Sequence, residues 1–170
     1  KGSCEFREPP SERFLISSPI AAWAQMATYT TWQDLAVIGS SLLSRNQQHL
    51  GITLQELISY VHRNPKFKLR IRCMESIPFV IENTDSPPEA KLYIILVRAG
   101  ITDIVANYPV RTASGIMRFI DLAIPDLKIG FEYQGAYHGS TRQMRNDANK
   151  MNQLLDQGWV ILQVTADDIR

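Results

Sequence analysis

The sequence predicts an α/β sandwich preceded by a small helical region. Three observations predict it. From Pro19 to about residue 61, apolar residues recur at helical spacing. A hairpin of two short strands, each carrying an acid, occupies residues 117–134. Helical patterns stand on both sides of that hairpin, and helix–sheet–helix order with antiparallel strands calls for packed layers. A chain of 170 residues with 45% hydrophobic and 21% charged content can bury a core of this kind. The reading divides it into an amino-terminal arm and helical region, residues 1–82, and a sheet domain, residues 83–170.

Residues 1–19 hold Pro9-Pro10, several serines and little periodicity, and read as a loose arm or a short strand at residues 14–16. From Pro19, the positions Ile20, Trp23, Ala24 and Ala27 keep helical spacing, with Ser18 as cap and Pro19 in the first turn. Thr31 precedes a second run, Leu35, Ala36, Ile38, Leu42 and Leu43, which Trp32 is expected to anchor to the first. Thr53 and Glu56 have capping-box spacing ahead of Leu57, Ile58 and Val61. Two readings of this region stand, a helical lobe packed on the sheet and the tail of a winged helix-turn-helix module. No basic recognition helix is visible for the second.

Residues 62–72 form the most basic stretch, with Arg63, Lys66, Lys68, Arg70 and Arg72 and no acid. A phosphate-facing patch, a solvated helix face or loop, and a short strand alternating with Phe67, Leu69 and Ile71 all fit it. Residues 75–83 read as a connector. Ser86 then caps a helix through Leu92, Ile95, Leu96 and Ala99, with Pro87 and Pro88 in its first turn and Gly100 at its end. Glu89 has two roles open to it, complementing that helix start or reaching a metal site. Residues 101–111 are an entry loop and a first strand, and residues 112–115 a turn.

The hairpin carries the chemistry. Asp121 sits among Phe119, Ile120, Leu122 and Ile124, and a turn at Pro125-Asp126 leads to a strand over residues 128–134. On that strand Ile129, Phe131 and Tyr133 point one way, and Gly130, Glu132 and Gln134 the other. An unpaired buried carboxylate costs several kcal/mol, so acids in the middle of two adjacent strands need a reason. A hard divalent cation held by oxygen ligands supplies one. Beyond His138, a helix over residues 142–156 has a stripe of Met144, Ala148, Met151, Leu154 and Leu155, with Arg142, Arg145, Asp147 and Lys150 on its other faces. Gly158 ends it. Residues 159–164 are apolar enough to be a strand inside the sheet, and residues 165–168 open another helix.

Asp121, a gap of ten residues, and Glu132-x-Gln134 resemble the active-site signature of the PD-(D/E)XK nuclease superfamily, whose last position is usually Lys. The wider stretch, residues 85–169, resembles the very-short-patch-repair-like endonuclease domain of bacterial proteins. That resemblance is carried by Ser86, Pro87 and Glu89 opening a helix, Ala99-Gly100 closing it, and Asp121 in a strand. It continues in Glu132-Tyr133-Gln134-Gly135 with His138, an Arg/Asp-rich helix, and Gly158-Trp159 with Ile161, Leu162, Val164 and Thr165. Gln134 departs from the acid most common there, leaving one negative charge fewer for a cation. The resemblance covers about half of the chain, and the helical region before it is similar to the middle part of abortive-infection antitoxin-type proteins.

The resemblance implies a restriction-endonuclease-like α/β sandwich with a central mixed sheet, hydrolysing phosphodiester bonds of DNA with Mg2+ or Mn2+. Asp121 and Glu132 would hold the metal, joined by Glu89. Gln134 would orient water or phosphate, and His138 would act as general base or donate to the leaving oxygen. Arg142 and Arg145 have two readings, phosphate contacts or helix-surface residues pairing with Asp147. Lys128 lies about 13 Å along the strand from Glu132 and is a poor replacement for the missing Lys. Lys150 is a candidate substitute. A non-catalytic DNA-binding or antitoxin-type regulatory protein that keeps the fold is the alternative. Cutting both strands of a duplex would favour a homodimer.

The rest of the composition narrows little. A net charge of +1 leaves the partner undecided, and no apolar run is long enough to cross a bilayer. Cys4 and Cys73 show neither metal spacing nor a disulfide framework, so a reducing cytoplasm is the expected setting. The chain starts at Lys1 rather than Met, and a segment upstream is expected.

Overall fold

A computed structural model describes residues 6–7, 16–135 and 141–169, without the side chains of 6–7 and 141–144. The chain separates into two compact units, which meet between Glu82 and Asn83. No described helix is long and apolar enough to cross a membrane.

In the first unit, β1 (Phe6–Arg7) and β2 (Ile16–Ser17) pair antiparallel; residues 14 and 15 of the expected strand lie outside the described residues. Helix α1 (Pro19–Met26) starts where Ser18 Oγ accepts the Ala21 N–H. Helix α2 (Trp32–Leu42) starts where Thr31 Oγ1 accepts the Asp34 N–H. The tie between them is Trp23 rather than the expected Trp32. Trp23 is 1% exposed and donates Nε1–H to the Leu35 carbonyl at 2.9 Å. Trp32 instead packs its ring against Phe79, 4.6 Å away. A short 3-10 turn, Arg45–Leu50, leads to α3 (Leu54–Arg63), whose capping box is complete: Thr53 N–H donates to Glu56, and Glu56 N–H donates back to Thr53 Oγ1.

The basic stretch is neither strand nor loop throughout. After α3 it turns and enters α4 (Arg70–Ser76), followed by a 3-10 turn at Ile77–Phe79 where a connector was expected. Its arginines explain why. Arg72 donates from Nη1 to the carbonyls of Ala27 and Thr30, at and just beyond the end of α1. Arg70 Nε donates to Val61 and Arg63 Nε to Ser59. The last carbonyls of a helix have no partner within it, and a guanidinium supplies one. Cys73, on the same helix, is buried, and burial pushes its thiol up to about 11, far from reactive.

The second unit is α/β with a four-stranded mixed sheet in the order β3 (Val105–Arg111), β4 (Met117–Ile124), β5 (Ile129–Gln134), β6 (Val160–Thr165). The first two pairings are antiparallel and β5–β6 is parallel. A parallel pair needs a crossover, and α6 (Thr141–Asp156) provides it. Helix α5 (Pro87–Arg98) precedes the sheet. Of its apolar residues Leu92, Ile94 and Leu96 are buried, whereas Ile95 is exposed.

Helix α6 hands over to β6 through a paired C-terminal motif. Gly158, at φ 80°, donates to Leu155, and Trp159 N–H donates to Leu154. That brings Leu154 and Trp159 into one core cluster with Val110, Ile120 and Ala123. The expected stripe on α6 is narrower than its spacing suggests, since Ala148 and Leu155 are exposed, Met151 is half-buried, and Met144 has no described side chain. Among the described residues strand β6 is a sheet edge rather than an inner strand, with Val160 56% and Leu162 48% exposed. Residues 166–169 form a turn, in which Asp168 Oδ2 accepts from the Thr165 N–H and hydroxyl.

Candidate active site

The site is built where β4, β5 and α6 converge. The β4–β5 ladder runs Ile124↔Ile129, Ala123↔Gly130, Leu122↔Phe131, and one further step of that register sets Asp121 opposite Glu132. At that step the backbone pairing gives way to a side chain. The Tyr133 N–H donates to Asp121 Oδ2 at 2.9 Å. That bond ties the Asp121 carboxylate to the backbone of β5, satisfying a strand N–H with a side-chain oxygen.

Gly130 clears room for the helix side. A Cβ there would come within 2.7 Å of both the Ile120 and the Ile161 side chains. From α6, Lys150 reaches Glu132, its Nζ donating to Oε2 at 2.6 Å. Glu132 is only 8% exposed, and among the described residues its Oε1 is buried without a hydrogen-bond partner. Burial, and then the neighbouring Asp121, pushes the Glu132 carboxyl up to about 7 despite the Lys150 ammonium. Burial also raises Asp121. The Tyr133 N–H and Lys150 oppose that rise, while Asp85 adds to it.

Glu89 is 6% exposed and both of its oxygens are engaged at the start of α5. Oε2 accepts the Asp85 N–H at 2.9 Å and Oε1 accepts from Ser86 Oγ at 2.7 Å. The expected cap is therefore reversed: Ser86 makes no side-chain bond to the helix N–H groups and donates to Glu89 instead. Burial raises the Glu89 carboxyl, the Ser86 and Asp85 donors lower it, and Asp121 raises it again, so the two acids feel each other's charge.

A cleft of about 260 Å³ opens onto Asp121 and Glu132, lined also by Gln134, Asp147, Lys150 and Gln163. Three acids against one lysine give it a net negative lining. Gln134, exposed at the end of β5, borders the cleft as its position on the Glu132 face requires. Arg145 is exposed and does not line it. His138 and the side chain of Arg142 lie outside the described residues. Lys128 points away, donating Nζ to the Gln157 carbonyl at 3.0 Å.

Sequence reasoning missed Gln163. Its signal is the parallel register that pairs it with Glu132, which is visible only once β6 is placed beside β5. Among the described residues no group of three or more His, Cys, Asp or Glu side chains is arranged to hold a metal ion. The acids lining the cleft are Asp121, Glu132 and Asp147.

No family model matches the chain, and no solved structure does. Two uncharacterized proteins of Mycobacterium tuberculosis, from strains CDC 1551 / Oshkosh and ATCC 25618 / H37Rv, are similar to it. Each is 26% identical over 101 residues, which is 59% of this chain and 37% of the relative. The chain thus spans well under half the length of the curated relatives it matches.

Proposed function

We propose that the second unit is a metal-dependent endonuclease domain hydrolysing phosphodiester bonds of DNA, built on a restriction-endonuclease-like sandwich. The observation that carries this reading is the buried Glu132 with one oxygen free, Asp121 beside it, and Lys150 at 2.6 Å. An acid pair with an adjacent lysine is the constellation that the Asp-Glu-x-Lys signature describes. Here the lysine comes from α6 instead of position 134. The order α5, three strands, α6, β6 gives the mixed sheet such a fold requires.

Two carboxylates fit a hard cation that also takes water and phosphate oxygens. Asp121 and Glu132 would hold Mg2+ or Mn2+, which when bound polarises the scissile phosphate and lowers the pKa of a bound water. Glu89 would join them only by giving up its Asp85 and Ser86 donors. Lys150 places a positive charge beside the acids, where a phosphate oxygen entering the cleft meets it. The Gln134 and Gln163 amides are neutral donors that orient phosphate or water without competing for the cation.

One observation favours a second reading. The Glu132–Lys150 pair is also how a cleft without a cation satisfies a buried acid, as a non-catalytic DNA-binding or regulatory protein of this fold would. Supercoiled plasmid incubated with Mg2+ or Mn2+ separates the two. Nicking by the wild type that disappears in Asp121→Ala and Glu132→Ala is the expected result. A folded wild type that nicks with neither metal, but still retards DNA in a gel, would replace the first reading by the second.

A further inference from the structure

At the level of Asp121 the pairing of β4 with β3 is interrupted. The β3–β4 register is constant from Val105↔Ala123 to Arg111↔Met117, and one level drops out of it: Asn107 opposite Asp121. Asn107 is buried, and its backbone is left-handed, with φ 49°. That conformation is foreign to a strand interior and uncommon for any residue but glycine; Asn tolerates it best among the others. Its side chain is held as well, Nδ2 donating to the Asn83 carbonyl.

The interruption changes which way side chains face. Ile120 and Ala123 are three apart, so a regular strand would send them to opposite faces. They share one core cluster with Leu154 and Trp159. The alternation therefore resets between them, and Asp121 is at the reset. Unusual backbone held by the surrounding structure is a recurrent way of aiming a functional group.

We infer that Asn107 is a positioning residue for Asp121: its left-handed backbone breaks the β3–β4 ladder at one level and so aims the Asp121 carboxylate at the Tyr133 N–H, beside Glu132. The role in metal binding rests on the endonuclease reading; the aiming of the carboxylate does not.

The test compares Asn107→Gly, which adopts the same backbone without a side chain, with Asn107→Val, which favours the extended strand. Amide hydrogen exchange at Tyr133, referred to Phe131 in the same strand, reads the Asp121 bond directly. Asp121→Ala gives the value for its loss. Asn107→Val is expected to speed Tyr133 exchange at least tenfold, toward the Asp121→Ala value, and to leave Phe131 within about threefold. Asn107→Gly is expected to stay within about threefold of wild type at both amides. If the valine variant does not fold, Asn107→Ala makes the same comparison with a smaller side chain.

Tyr133 exchange unchanged in a folded Val or Ala variant overturns the inference, and so does a glycine variant as impaired as these. A Mn2+ titration followed by electron paramagnetic resonance then reports on the site. Weaker binding in the Val or Ala variant, with recovery in Asn107→Gly, extends the aiming role to the cation. A wild type that binds no Mn2+ while the Tyr133 pattern holds removes the endonuclease reading and keeps the positioning role.

Discussion

The basic stretch at residues 62–72 and the acidic cleft at β4–β5 are two concentrations of charge, and the protein treats them in opposite ways. In the first, Arg63, Arg70 and Arg72 spend guanidinium donors on backbone carbonyls of the same unit. Each of those bonds satisfies an acceptor at modest cost to a charge that stays near water. In the second, Asp121, Glu132 and Glu89 all have carboxyls raised above the ordinary range, with burial as the first cause. The charges at 62–72 support the fold, whereas those in the cleft burden it. A run of charge in a sequence is therefore weaker grounds for a site than a few charges the fold would be better without.

Replacing Lys150 should break this contrast most sharply. Lys150→Met is expected to lower metal-dependent nicking by on the order of 10²-fold, the scale of losing one preorganised charge donor. The same variant leaves Glu132 buried without its cation and raises its pKa further. Stability should therefore fall more at pH 8 than at pH 6, where the carboxyl can take up a proton. Urea denaturation at the two pH values, alongside plasmid nicking, checks both. Equal losses of stability at both pH values would mean that Lys150 matters for packing and not for the acid.

The pH dependence of the wild type is the next largest effect. Burial and the neighbouring Asp121 push the Glu132 carboxyl up to about 7 in the fold, from an ordinary value of 4.5. A carboxyl raised on folding binds its proton more tightly in the native state. The contribution is thus fully present below about 4.5 and is lost as pH rises through 7, a change of up to a few kcal/mol. In EDTA the thermal midpoint should fall between pH 5 and pH 8. A cation that takes the ionised acid should restore it, so Mn2+ is expected to raise the midpoint more at pH 8 than at pH 5. A midpoint flat across this range, with and without Mn2+, would remove the cost attributed to the cleft.

What could be read from the sequence follows the range of the forces involved. The caps at Ser18 and Thr53 are decided within four residues, and the structure has both. The acid hairpin is nearly as local. Helix α4 was not legible because Arg72 ties it to carbonyls more than forty residues away. For the same reason Trp23 could not be told from Trp32. The position of β6 at an edge depends on strand order, which hydropathy does not encode, so an apolar run was read as an inner strand. In the cleft, Asp121 and Glu132 announced themselves by polarity in an apolar context. Gln163 and Asn107 did not, because each matters through a neighbour on another strand.

Arg72→Ala addresses the opposite region. It leaves the carbonyls of Ala27 and Thr30 without the guanidinium and should cost about 1–2 kcal/mol in the first unit. The loss should be read as a lower urea midpoint, with metal-dependent nicking by the second unit unchanged. A variant as stable as wild type would deprive the basic stretch of its structural account.

The smallest effect divides the stretch itself. Lys66 and Lys68 are exposed, on the turn between α3 and α4. Exchanging either for Ser should change stability by no more than about 0.5 kcal/mol, as surface positions do. DNA affinity measured across a series of salt concentrations asks more of them. A cation that neutralises a phosphate releases counterions, and its removal lowers the log–log salt slope by about one. If Lys66→Ser and Lys68→Ser leave the slope as it was, charge at 62–72 serves folding and solubility alone, and the contrast with the cleft is complete. If each variant lowers the slope by about one, the stretch is shared between two tasks. Its arginines then hold the helices together, and the lysines between them meet the phosphate backbone, as a flexible ammonium can and a guanidinium committed to two carbonyls cannot.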